Sequence, residues 1–329
     1  MATKLMADPE GIDVRGLSHL VDPNWQDPTY RRCIAAALVE VVYQLQKNEQ
    51  KAEQLCALLP FKVKEIMRDE HDNSIFGAVF QWVQRSKPTS GCGGKIPLEV
   101  VAFRGTIFEL ETWLMDFTHD WNILFAKMDL LRRGGMALNY LQTSIQRCRP
   151  DNIWIVGHSL GASIALVAVR KLTREERENL EAHLFNPPFI LPRFLELKFY
   201  EVFGKVLSTI RKGSFSLPFP QLEGIRKGIQ GACDSVALRM GLQDENKLLD
   251  LYSEFIGLGN WIPNLYVNKK DPICCTYISY LETLKGIYGQ ESHLVQEKMK
   301  YLFCFEVVNN KTPWHMVPSA NLTVAVTDQ

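Results

Sequence analysis

Apolar residues return at helical spacing near the start of the chain, where Ile34, Leu38, Val41, Val42 and Leu45 share one face. That periodicity predicts a single long amphipathic helix over 30–59. The pattern then shortens to strand length. SIFGAVFQWV at 74–83 and the run at 98–103 read as strands, separated by a GCGGK turn at 91–95. A helix is predicted over 128–148, interrupted at Gly134-Gly135 because glycine weakens a helix interior. A short apolar strand at 153–156, a helix at 162–172 and a strand at 182–185 follow. Short strands rich in Val, Ile and Phe, alternating with helices, predict an α/β protein: a mostly parallel sheet with helices on both faces.

Residues 189–250 break this rhythm. They hold RKGSF, IRKGIQG and the apolar LPFPQL, and they read as a lid-like insertion over one end of the sheet. Regular structure resumes with a strand at 264–268, helices near 275–286 and 291–300, a strand at 302–308 and a last strand within 315–326. No internal repeat is visible. The expected organisation is one domain over 1–329, with 189–250 as its cap.

Composition narrows the partners. Lys+Arg and Asp+Glu both number 37, so the formal net charge is zero, which argues against bulk capture of nucleic acid or an anionic membrane. A small or neutral ligand is expected. The opening MATKLMADPEG has no signal-like apolar core, and no stretch has the length of a transmembrane helix. The expectation is a cytoplasmic protein, with peripheral membrane contact left open. Eight cysteines are scattered without a CxxC pair, which predicts buried thiols rather than a disulfide framework or a metal site.

The chemistry concentrates at IWIVGHSLGASIALVAV, 153–169. A serine hydroxyl is a poor nucleophile at neutral pH, so it needs an imidazole nearby and amide donors for the oxyanion. A sharp strand-to-helix turn presents such a serine, and its flanks must be small. Here 153–156 is the strand, Gly157 and Gly161 are the flanks, and the helix opens at Ala162. Ser159 is therefore the expected nucleophile. His158 should point away from the Ser159 hydroxyl and serve packing or hydrogen bonding. A second element, VVAFRGT at 100–106, is a strand ending where parallel sheets place their ligands. The amides of Thr106 and Leu160 are the expected oxyanion donors; the bland reading is a plain turn with Arg104 salt-bridged at the surface.

VVAFRGT, TWLMDF at 112–117 and GHSLGA at 157–162 together resemble the class 3 lipase family of α/β-hydrolases. LFNPPF at 184–189, NLYVNKKDPICCTYI at 264–278 and VPSANLT at 317–323 resemble a plant branch often labelled GDSL esterase/lipase-like. The serine here nevertheless sits in Gly-His-Ser-Leu-Gly, and no Gly-Asp-Ser-Leu block occurs. The resemblance implies an α/β-hydrolase fold and an esterase or lipase reaction on a lipid or other apolar acyl ester. It implies Ser159 as nucleophile, Asp271 as triad acid, Thr106 and Leu160 as oxyanion donors, and neither metal nor organic cofactor. Asp271 also suits its place, a turn at the end of the 264–268 strand, where a carboxylate orients an imidazole.

The base is the open question. Chain order in this fold runs serine, acid, histidine, and of seven histidines His293 and His315 follow Asp271. His293 lies in a helical pattern, which leaves His315 by order. The resemblance instead expects the base in an Ala-His-Gly segment beyond VPSANLT, and this sequence runs to Gln329 without one. Three expectations stay open: a shortened form of an active hydrolase, recruitment of His315, or a catalytically impaired hydrolase fold acting as a ligand-binding or interaction module.

Overall fold

The computed structural model describes residues 24–83, 96–105, 120–189, 245–271, 274–288, 299 and 315–325. Its first helical pattern is two helices, not one: α1 (Pro28–Lys47) and α2 (Glu49–Leu58). Asp27 caps α1 by accepting the Thr29 N–H at 2.8 Å, and Pro28 occupies the first turn, where its missing N–H costs nothing. Asn48 breaks the run. Its backbone is extended (φ −156°) and its side chain accepts the Lys51 N–H at 3.0 Å, so a local cap overrides the continuing apolar period.

Among the described residues seven strands follow: β1 (Phe61–Arg68), β2 (Ile75–Trp82), β3 (Glu99–Phe103), β4 (Ile153–His158), β5 (Glu181–Phe185), β6 (Asn264–Asn268) and β7 (Asn321–Ala325). They form one sheet in sequence order. β1–β2 and β2–β3 pair antiparallel, and every pairing from β3 to β7 is parallel. The sequence pattern misses β1 because FKVKEIMR carries Lys62, Lys64 and Glu65, the charges that an edge strand keeps at its open side. The last strand is shorter than expected, beginning at Asn321.

Further helices among the described residues are α3 (Asp120–Arg147), α4 (Leu160–Arg170), the short α5 (Arg174–Arg177), α6 (Glu245–Gly257) and α7 (Thr276–Tyr288). Alternate strand residues serve opposite faces. Ala78, Phe80, Val100, Ala102, Trp154 and Val156 join α1 in one core. Their neighbours Val79, Val101 and Ile155 are equally buried, on the face where α4 packs against β3 and β4 and α3 against α4. The sheet thus has helices on both faces, as an α/β-hydrolase fold requires. Asp69, buried at the end of β1, accepts from Arg132 at 2.7 Å and Arg133 at 2.6 Å, locking this edge to α3.

The chain divides into two compact units: Met1–Pro188 with Trp261–Cys274 and Ala320–Gln329, and Phe189–Asn260 with Cys275–Ser319. The first holds the whole sheet. In the second, three tyrosines of α7 reach one short segment: Tyr277, Tyr280 and Tyr288 donate to the carbonyls of His315, Val317 and Pro318. The GCGGK turn, the 302–308 strand and most of the expected 291–300 helix and 189–250 insertion lie outside the described residues.

α3 runs unbroken through Gly134-Gly135. The expected interruption is absent because Gly134 answers a packing need. A Cβ there would lie 2.4 Å from Val167 Cγ1 on α4, whereas one on Gly135 meets nothing within 4 Å. The pair therefore predicts opposite signs. Gly134→Ala should destabilise by about 1–3 kcal/mol through overpacking, and Gly135→Ala should stabilise by up to ~1 kcal/mol through helix propensity. Urea unfolding of the two variants checks this; equal effects would show that α3 and α4 are not in tight contact.

Candidate active site

β4 delivers the chain to Ser159, and α4 starts at the next residue. Ser159 has φ 51° and ψ −126°, a conformation that L-residues rarely adopt and that stores strain. The flanking glycines show why the chain accepts it. A Cβ on Gly157 would sit 2.7 Å from the Ala162 nitrogen and the Gly161 carbonyl group, and one on Gly161 would sit 2.5 Å from the Phe103 carbonyl oxygen. Backbone meets backbone here, and only hydrogen fits. The turn is further held by the Ser159 N–H, which donates to the Phe185 carbonyl at 2.9 Å.

Two chemical consequences follow. The Ser159 side chain makes no capping bond to α4, so its hydroxyl is not spent on the helix. Leu160 is the first helical residue, and the first amides of a helix have no partner within it. They carry the positive end of the helix dipole.

The end of β3 lies directly beside this turn. A Cβ on Gly105 would be 2.9 Å from Ser159 Cβ and 2.7 Å from the Tyr43 hydroxyl. Arg104 is buried rather than salt-bridged at the surface. Its guanidinium donates to the carbonyls of Ile75 and Gly105, and burial lowers its pKa. Thr106 lies outside the described residues.

His158 takes the hydrogen-bonding role the sequence expects, toward α1. Its Nδ1 is 2.9 Å from the Tyr43 hydroxyl, which also accepts the Gly105 N–H at 2.8 Å. Burial holds the imidazole pKa down to about 4, so the ring is neutral. A second buried histidine, His183, lies between Glu181 (2.8 Å from Nε2) and the Tyr266 hydroxyl (2.9 Å from Nδ1), its pKa also lowered by burial. Arg31 pairs with Glu181.

Asp271 follows β6 in a turn where its N–H donates to the Asn268 carbonyl at 3.1 Å. Asn186, at the end of β5 with φ 43°, holds that turn: its side-chain oxygen accepts the Asn268 N–H at 3.0 Å and the Cys274 thiol at 3.6 Å. The ends of four adjacent parallel strands thus carry Arg104-Gly105, Ser159, Asn186 and Asp271 along one edge of the sheet. His315 belongs to the second unit. Its ring is buried edge-on against Phe189, with centroids 4.3 Å apart, and its carbonyl is tied by Tyr277. The sequence reading missed Tyr43 and Asn186. Tyr43 follows a run of buried helix positions and gave no signal; Asn186 stands in the quoted LFNPPF.

This geometry meets an independent match. The family model for class 3 lipases matches residues 100–212, from within β3 onward. The chain is class 3 lipase-like, on an α/β-hydrolase fold. It is also similar to a GDSL esterase/lipase of Arabidopsis thaliana, 25% identical over 349 residues that cover 97% of this chain and 91% of the relative. No solved structure matches it. Among the described residues, no helix is long and apolar enough to cross a membrane.

The neutral His158 carries a pH prediction. Below pH 6.5 the unfolded imidazole takes up a proton that the folded one refuses until about pH 4. Stability should therefore fall as pH drops through this window, by up to about 3 kcal/mol from this group. Urea titrations at pH 7 and 4.5 on the native chain and on His158→Asn isolate the contribution. A variant with the same pH slope as the native chain would show that His158 titrates normally.

Proposed function

We propose that the chain is a serine carboxylester hydrolase acting on a lipid or other apolar acyl ester through an acyl-enzyme. Ser159 is the nucleophile, the amides of Leu160 and Thr106 receive the oxyanion, and Asp271 is the acid that orients the base. The observation that carries this reading is the positive-φ turn at Ser159, with its hydroxyl left unspent by the helix it caps. A helix N-terminus beneath that hydroxyl supports charge development on the carbonyl oxygen. The class 3 lipase match and the similarity to an esterase/lipase support the apolar ester as substrate class.

The acyl-transfer step balances within these groups. The serine oxygen bonds to the carbonyl carbon while its proton passes to the base, and the alcohol leaves with that proton as the tetrahedral species collapses. Water then repeats the sequence on the acyl-serine, returning the free acid and the hydroxyl. By chain order the base is His315, the histidine that follows Asp271 among the described residues. The second reading, a hydrolase fold that binds without turnover, is favoured by one observation: the His315 ring is packed on Phe189 and its carbonyl tied to Tyr277, the setting of a structural histidine.

A fluorophosphonate probe followed by peptide mass mapping tests the nucleophile. The expected result is one adduct, on Ser159, with Ser159→Ala unlabelled and p-nitrophenyl ester hydrolysis reduced on the order of 10³-fold or more. Asp271→Asn should lower kcat by roughly 10²–10⁴-fold at unchanged stability. A folded chain that takes no adduct sinks the hydrolase reading in favour of the binding module. His315→Ala separates the two roles of that residue: loss of turnover at unchanged Tm assigns it the base, and a fall in Tm with turnover retained assigns it to packing.

A further inference from the structure

We propose that Tyr43, on α1, is a positioning residue for the Ser159 site, its hydroxyl holding the Arg104-Gly105 turn against the serine. The proposal rests on reading Ser159 as the nucleophile, and it lies outside the 100–212 segment that the family model covers.

Three observations converge on this hydroxyl. It accepts the Gly105 N–H at 2.8 Å, and it stands 2.9 Å from His158 Nδ1. A Cβ on Gly105 would lie 2.7 Å from the Tyr43 hydroxyl and 2.9 Å from Ser159 Cβ, so both groups border the position a side chain would take. The hydroxyl therefore ties Gly105 by its N–H at the point where the segment meets the serine.

A phenol has a single proton to donate and can accept as well. Tyr43 accepts from the Gly105 N–H, which leaves its own proton for His158 Nδ1 in the neutral tautomer that carries the ring proton on Nε2. In that tautomer the chain runs Gly105 N–H to Tyr43 O–H to His158 Nδ1. His158 is covalently joined to Ser159. The imidazole that anchors the hydroxyl and the serine beside the turn are consecutive residues, and the network closes a ring around the site.

The ring also settles how Gly105 is used. Its N–H is spent on Tyr43, and its carbonyl accepts from Arg104 Nη1 at 2.7 Å. Both polar groups of Gly105 are held, and its N–H, bonded to Tyr43, is not an oxyanion donor. Its carbonyl shares one planar peptide unit with the next amide, the one the sequence assigns to the oxyanion. Misplacing a catalytic group by about 1 Å costs on the order of a hundredfold in rate, so a hydroxyl that sets this turn acts on catalysis without touching the substrate. The same position viewed as plain core packing would place an apolar side chain here equally well, with no partner for the Gly105 N–H or His158 Nδ1.

The test is Tyr43→Phe in the full chain, which removes one oxygen and keeps the ring. Two readouts are taken: fluorophosphonate labelling of Ser159 with kcat and KM on p-nitrophenyl butyrate, and hydrogen exchange of the Gly105 amide. The expected result is labelling and kcat slower by roughly ten- to a hundredfold, KM unchanged, and Gly105 exchange faster by at least about tenfold while α1 stays protected. Labelling at the native rate overturns the proposal whatever the amide does. If the native chain takes no adduct, the hydrolase reading falls separately; Gly105 exchange then decides, and unaltered protection in Tyr43→Phe overturns the positioning role. Should Tyr43→Phe not fold, His158→Leu and His158→Asn examine the other end. Asn offers an oxygen to the Tyr43 proton and Leu does not, so Leu should exchange Gly105 faster than Asn; equal exchange overturns the proposal.

Discussion

The structure depends on how closely three stretches of backbone approach one another at the carboxyl edge of the sheet. β3 and β4 are hydrogen-bonded neighbours, and α4 must leave the end of β4 at once and pack back across both strands. That path leaves no space for a side chain at Gly157 or Gly161. It also forces Ser159 to φ 51°, a local strain of about 1–3 kcal/mol that surrounding structure has to offset. The offset comes from the burial of α4, whose residues from Gly161 to Arg170 are all buried, and from the parallel ladders on either side of β4. Strain at the serine is the consequence of packing everywhere else. The helix takes no capping bond from the hydroxyl, and its first amides follow the serine directly in the chain.

Around this turn the protein keeps its polar groups in pairs within an apolar core. α1 contributes to two of these sets from one face. Tyr43 meets His158 and Gly105 near the serine. One end of the same helix brings Arg31 to Glu181 and over Trp154, and Arg32 over Tyr266, around His183. Both histidines are kept neutral because burial disfavours the cation more than their neighbours favour it. A neutral ring has one donor and one acceptor nitrogen, so each of these histidines specifies a geometry that a charged ring would not.

Where the sequence reading erred, a local pattern met a constraint it does not contain. The 30–59 period continues through Asn48 without a change of phase, yet an Asn that caps α2 with its own side chain ends α1. Gly134-Gly135 looks like a helix break from propensity alone. Its cause is across the interface, in the position of Val167. β1 was invisible because its charges mask alternation, and only the partner strand β2 makes it a strand. Arg104 shows the same asymmetry: a surface role is the reasonable expectation for an arginine at a turn, but the Ile75 and Gly105 carbonyls accept it inside.

The sequence by itself determined the parts of the site that are consecutive in the chain. A strand, Gly157, Ser159, Gly161 and a helix specify the bend through φ/ψ and steric rules that act over a few residues, and the FRGT strand end and the Asp271 turn were legible for the same reason. Tertiary structure alone decided what those parts touch. That Tyr43, more than sixty positions before Gly105 along the chain, supplies the hydroxyl beside Ser159 depends on α1 lying across β2 to β5. That Asn186 holds the Asp271 turn depends on β5 and β6 being neighbours. Hydrogen bonds and contacts between distant segments arise from how the sheet and its helices pack, and no local pattern encodes that arrangement.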